Sequence, residues 1–133
     1  MPELRPSPLR TELEEVLLVA AGAVPGALVR WQLADILQDQ HLIVNIAGAG
    51  LLGVLMGLPF APRRQLLLGV GLCGSATTFS SWMLDVVKLL SSGATGEAIG
   101  LIGLTLGGGL GAAGLGFLLG RQFRPPVPPR SPS

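Results

Sequence analysis

Four long apolar segments, at about residues 16–37, 42–59, 66–90 and 98–120, take up most of this 133-residue chain. Each is close to the ~20 residues an α-helix needs to cross about 30 Å of hydrocarbon. No stretch is left over for a soluble domain, so residues 1–133 read as one all-α membrane domain with four transmembrane helices. Short connections make neighbouring helices antiparallel. Composition agrees: 49% of residues are apolar, 13% are charged, and there are 20 glycines and no tyrosine. A formal charge of +1 cannot build the basic face that nucleic acid requires. One cysteine, Cys73, excludes an internal disulfide and a cysteine-based zinc site. One histidine, His41, argues against a conventional metalloenzyme or a Ser-His-Asp hydrolase.

The third segment departs from the other three. Its stretch Gly71–Trp82, GLCGSATTFSSW, puts five hydroxyl residues (Ser75, Thr77, Thr78, Ser80 and Ser81) where a spanning helix would carry hydrocarbon. Polar, glycine-containing backbone at bilayer depth is tolerated only where it is buried in protein or faces water. Where a spanning helix breaks, freed amides attract anions and freed carbonyls hold cations. The stretch therefore predicts a broken third helix and an ion site. Phe79 and Trp82 stand three residues apart within it. An aromatic ring has a positive edge, so rings presented edge-on solvate a small anion without trapping it, and conduction needs binding weak enough for release. The alternative for both is ordinary packing or a lipid-facing position.

Met1–Arg10 and residues 122–133 are rich in Pro and Arg and read as disordered tails. Thr11–Glu15 offers a threonine cap followed by acidic residues of a first helical turn. The three glutamates there oppose a signal peptide, which wants a basic flank. Small residues recur every fourth position at Gly22/Gly26, Ala49/Gly53/Gly57, Gly103/Gly107/Gly111 and Gly116/Gly120. Such rows let helix backbones approach in lipid, and a thin four-helix bundle points to an oligomer. Arg5, Arg10, Arg63, Arg64, Arg121, Arg124 and Arg130 fall on one side of four spans, with Arg30 and Lys88 toward the other. That bias predicts cytoplasmic termini.

Asn45 has two readings: an amide paired between helices, because an unpaired one is costly in hydrocarbon, or a donor lining an ion path. Arg30 either snorkels at a helix end or funnels anions. Asp85 and Lys88, three apart, can pair near an interface. Thr105 either bonds back to its own helix or extends a polar track. His41 reads as an exposed loop residue and Cys73 as a small apolar filler.

Four pieces of the chain, taken in order, resemble the small CrcB/Fluc fluoride channel family. They are Gly-x-x-x-Arg-Trp ending at Arg30 and Trp31, Asn45 with Gly48 and Gly53, the Gly71–Ser80 motif, and a glycine-rich fourth helix. The resemblance implies a bacterial plasma-membrane protein that assembles as an antiparallel dimer with two fluoride pores. It implies a structural, untransported Na⁺ at the dimer centre on the backbone carbonyls of Gly74 and Thr77. Pore roles carry over onto Asn45, Phe79, Ser80, Thr105 and Trp82, and a vestibule role onto Arg30. Several residues depart from the family pattern: Ser75 and Ala76, Trp82 in place of a second Phe, Asp85 in place of Glu, Gln40 and His41 in place of Gly-Thr, and Leu101 at an often polar site.

The function expected from this resemblance is passive, fluoride-specific efflux that lowers cytoplasmic fluoride, with no enzymatic step. Two alternatives stand beside it. One is a non-conducting or partner subunit of a heterodimeric channel, suggested because seven basic residues against two ill suit one chain inserted both ways. The other is a proton-coupled exporter of small solutes using Asp85.

Overall fold

The computed structural model describes residues 8–36 and 41–126. Arg5, Gln40 and Arg130, with most of both tails, lie outside them. All the regular elements of the described chain are helices. It comprises α1 (Pro8–Ile36), α2 (His41–Gly57), a one-turn α3 (Pro62–Arg64), a π-helical stretch Gln65–Cys73, α4 (Gly74–Ala76), α5 (Phe79–Ser91) and α6 (Thr95–Arg121).

Two terminal expectations change. Helix α1 starts at Pro8, so Pro8–Arg10 are helical and Thr11 lies inside the helix, not at its cap. Proline suits a first helical turn, where its missing N–H has no helical partner to lose. Gln122–Arg124 continue from α6 as a hydrogen-bonded turn, and the Arg124 guanidinium donates to the carbonyls of Gly57 (2.7 Å) and Met56 (3.1 Å).

Among the described residues, three stretches are long and apolar enough to cross a membrane: Pro8–Ile36, Pro62–Ser91 and Thr95–Arg121. Helix α2 is shorter, at 17 residues, or about 25 Å at 1.5 Å per residue, the short end of what a span requires. The tightest seams join spans of like direction. Along α1 and the third span, Gly22 faces Leu67 and Gly26 faces Leu72 and Ser75. Along α2 and α6, Gly53 faces Ala113 while Gly57 faces Phe117 and Gly120. A Cβ at any of these glycines would run into the neighbour's backbone or, at Gly26, the Ser75 hydroxyl. Close backbone approach of this kind holds helices together where both lipid and side chains are apolar. The row Gly103/Gly107/Gly111 behaves differently: nothing in the described chain lies within 4 Å of a Cβ placed there.

The third span is not one regular helix. Residues Gln65–Cys73 follow π geometry, a widened form found mostly as short pieces at functional sites. At Thr77 (ψ 155°) and Thr78 (φ −140°, ψ 121°) the backbone becomes extended before α5 begins. Helix α5 ends in a Schellman closure: Gly93 takes φ 81°, its N–H donates to Leu90, and Ala94 N–H donates to Leu89. Glycine occupies the left-handed position at no steric cost.

Charges segregate as the sequence implies. Glu14 on α1 contacts both Arg10 and Arg63 at 3.4 Å, and Arg64 donates to the Pro59 carbonyl. With Arg124 on Gly57, these residues gather at one end of the bundle. Arg30 lies toward the far end of α1 and Lys88 in the last turn of α5.

Candidate functional site at the third-span break

The extended pair Thr77–Thr78 is fastened by Asn45. Its side-chain N–H donates to the Thr78 carbonyl at 3.0 Å, and its Oδ1 accepts the Thr78 N–H at 2.9 Å. In an unbroken helix that N–H would donate to Gly74. A rung three residues on is diverted too: Ser81 N–H, which would bond to Thr77, goes instead to the Thr78 hydroxyl at 3.4 Å. The carbonyls of Gly74 and Thr77 thereby lose their ordinary helical donors; Gly74 retains only a long contact from the Thr77 hydroxyl, at 3.5 Å. The Thr77 hydroxyl sits closer to Cys73, at 2.9 Å from its carbonyl.

Two cavities meet at this break, and Asn45 and Thr77 line both. One, of about 290 Å³, extends toward Gly48, Gly69 and Gly74. The other, of about 540 Å³, extends between α5 and α6 past Phe79, Trp82 and Thr105. None of the described residues lining either one is charged. An amide has two N–H donors; one Asn45 donor is used on Thr78, leaving the other for the cavities.

The aromatic pair is asymmetric. Phe79 is 70% exposed and Trp82 only 6%, with ring centroids 5.5 Å apart and planes tilted by 50°. The Trp82 indole N–H donates to the Thr105 hydroxyl at 2.9 Å, and that hydroxyl donates to the Leu101 carbonyl at 2.7 Å. Thr105 thus bonds back to its own helix while serving as an acceptor. Beneath this pair Trp82 and Val86 pack against Ala98, flanked by Leu89, Leu101 and Ile102.

The break therefore gathers Asn45, Gly74, Thr77, Phe79, Trp82 and Thr105. It does not gather Ser80 or Arg30, which are exposed and line neither cavity. Two polar residues find partners other than those the sequence suggests. His41 is not in a loop: it opens α2, and its Nδ1 lies 2.7 Å from the Asp85 carboxylate. Asp85 accordingly pairs with His41 rather than with Lys88, because the start of α2 passes closer than the next turn of α5. Spacing along one helix carries no signal for such a bond, whose partners are 44 residues apart. Ser75 is spent locally, donating to Leu72 at 3.2 Å, and Cys73 is buried as filler.

A family model described as CrcB-like protein, Camphor Resistance (CrcB), matches residues 17–117. The chain belongs to the CrcB-like family. The match runs from α1 into α6 and includes every residue gathered at the break. Over 133 residues, with both chains covered in full, this CrcB-like chain is 68% identical to "Fluoride-specific ion channel FluC 2" of Synechococcus sp. (strain CC9605). It is also 68% identical over 125 residues to the protein of that name from Parasynechococcus marenigrum (strain WH8102), covering 94% of this chain and 95% of the relative. A "Fluoride-specific ion channel FluC 1" from Prochlorococcus marinus is 42% identical over 113 residues, covering 85% of this chain and 87% of the relative. Taken with the long apolar helices, the family places this chain among multi-pass membrane proteins.

Proposed function

We propose that this chain is a passive, fluoride-specific ion channel that lets fluoride leave the cytoplasm down its gradient. The observation that carries the reading is the uncharged cavity at the Thr77–Thr78 break, lined by Asn45, Phe79 and Trp82. A small anion loses its water only where donors replace it, and it leaves again only where those donors are weak. An amide N–H and ring edges meet both conditions, whereas a lysine or arginine would retain the ion. The full-length identity to proteins named fluoride-specific channels supports the same ion. No bond is made or broken in such transport, so the protein is not an enzyme.

The working assembly is an antiparallel dimer in the plasma membrane, in which a second copy closes the exposed Phe79 side. The open glycine face of α6, with no described residue within 4 Å of a Cβ at Gly103, Gly107 or Gly111, supports a tight contact with another helix. The Gly74 and Thr77 carbonyls, stripped of helical donors, suit a hard cation that takes oxygen ligands, and a structural Na⁺ would be held there with the partner's equivalents. Its bound charge would favour an anion nearby. Relatives carrying two names, FluC 2 and FluC 1, favour a second reading: a heterodimer of this chain with an oppositely inserted relative. The basic end formed by Arg10, Arg63, Arg64, Arg121 and Arg124 supports insertion with the termini in the cytoplasm.

Fluoride efflux from vesicles containing only this chain, with and without sodium, tests the proposal. Electrogenic, proton-independent efflux that falls when sodium is removed is expected. Absence of efflux, restored by adding a FluC 1-type partner, selects the heterodimer. Proton-dependent flux lost in Asp85→Asn overturns the channel in favour of an exporter.

A further inference from the structure

We infer that the Trp82–Thr105 hydrogen bond is a mask: it hides two polar hydrogens of the cavity wall from the ion, and it makes Trp82 a positioning residue for the Phe79 ring. The inference rests on reading the 540 Å³ cavity as the fluoride path. Both residues line that cavity, yet neither offers it a donor. The indole N–H is spent on Thr105 at 2.9 Å, and the Thr105 O–H is spent on Leu101 at 2.7 Å. The relay ends on a backbone carbonyl, so no hydrogen in it is left over for a ligand. What the pair leaves for the cavity is aromatic and methyl surface.

The chemistry explains why such a bond matters. A hydrogen bond to an ion is about twice as strong as one between neutral groups, so a bared indole N–H would add a second donor beside the Asn45 amide and slow the ion's release. A buried N–H without an acceptor is also costly, so a freed one takes whichever acceptor enters the cavity. Thr105 supplies the acceptor permanently. The same bond fixes the indole about its side-chain torsions, giving Phe79 a stationary neighbour 5.5 Å away at a 50° tilt. A phenylalanine at position 82 would do neither, and would not need to.

The mask predicts an asymmetry that simple packing does not. Thr105→Val removes the acceptor and bares the indole N–H, whereas Trp82→Phe removes the donor itself. The experiment uses the full chain with Trp31→Phe, which leaves Trp82 as the sole indole; sodium fluoride is titrated against Trp82 emission, and efflux is followed from vesicles. In Thr105→Val we expect half-saturating fluoride to fall, and efflux to slow, each by about tenfold, as one added charge-assisted bond implies. Adding Trp82→Phe to Thr105→Val should restore efflux to the level of Trp82→Phe alone, and Thr105→Ser, which keeps the acceptor, should behave as the parent. Thr105→Ala bares the same N–H and serves if the valine variant does not purify as monodisperse protein. A Thr105→Val or Thr105→Ala protein whose emission ignores fluoride overturns the mask, as does a double variant no faster than Thr105→Val. Failure of the parent chain to pass fluoride counts against the channel reading alone, because the emission titration still decides whether a bared indole captures the ion.

Discussion

Residues Pro62–Ala76 lie against α1 through glycines: a Cβ at Gly71 would sit 2.6 Å from the Val19 carbonyl, and one at Gly22 would strike Leu67. Residues 78–91, in the same span, are fastened by side chains instead. Asn45 holds Thr78, Trp82 holds Thr105, and His41 holds Asp85. The first half is positioned by shape and tolerates no added volume. The second is positioned by directed polar bonds, which can be removed singly without filling space. The break falls where one regime gives way to the other. Backbone groups freed there are steadied on one side by a rigid seam and on the other by ties, of which Asn45 and the Trp82–Thr105 pair also line the cavity.

The largest expected effect attacks the shape-held half. Gly71→Val places three carbons against the Val19 carbonyl and the Gly22 Cα, and overpacking of a seam that cannot shift costs about 3 kcal/mol or more. The variant should fail to give monodisperse protein in detergent. Gly107→Val adds the same volume where nothing lies within 4 Å, so the chain should fold, and any loss should be in self-association measured by cross-linking. Equal folding of the two would erase the distinction between an inner and an outer glycine row.

Next in size comes Asn45→Asp, which breaks the polar regime at its origin. The carboxylate cannot donate to Thr78, leaving that carbonyl unpaired, and it sets a negative charge on the anion's path. Repulsion and the lost donor together should lower fluoride efflux at least about a hundredfold, equivalent to about 3 kcal/mol. Asn45→Ser is too short to bridge both Thr78 groups and leaves the break unfastened, which should slow efflux without the charge effect. Wild-type efflux in Asn45→Asp would detach the amide from the ion path. Phe79→Ile, which keeps bulk but removes the ring edge, should cost about fivefold in efflux, since aromatic contacts contribute roughly 1 kcal/mol; unchanged efflux would show that the exposed ring does not touch the ion.

The two regimes differ in how far they are legible in the sequence. Four apolar segments and glycines at four-residue spacing announce close-packed spanning helices, because span length and backbone approach are local properties of each segment. The spacing does not reveal partners: Gly53/Gly57 meet α6, whereas Gly103/Gly107/Gly111 carry the same pattern and meet nothing in the described chain. The hydroxyls of Gly71–Trp82 mark the region of the break, since polar backbone at bilayer depth demands a reason. The π-helical stretch Gln65–Cys73 leaves no such mark, because Leu, Val and Gly sit equally well in an α-helix. Asn45 reads from sequence as either a helix tie or an ion donor, and the geometry gives it the first task. Thr105 likewise bonds back to Leu101 and accepts from Trp82 at once, a double role that only the arrival of α5 creates.

The smallest expected effect lies at the far end of the polar half, where His41 and Asp85 join the first turn of α2 to α5. Their side chains are 17% and 31% exposed, so water screens the contact, and a partly exposed pair of this kind contributes about 1 kcal/mol or less. His41 lies one turn before Asn45 on the same helix, so the pair braces the segment that delivers the amide to Thr78 without itself reaching either cavity. His41→Ala should therefore lower thermal stability by about 1 kcal/mol and leave efflux within about twofold of the parent. Asp85→Asn should do the same, and the double variant should lose no more than either single change, since both remove one shared contact. Additive losses would show that the two residues act separately. A large loss of efflux with unchanged stability would instead extend the ion path up to the mouth of α2, and would make the polar half a conduit along its whole length rather than a brace around one break.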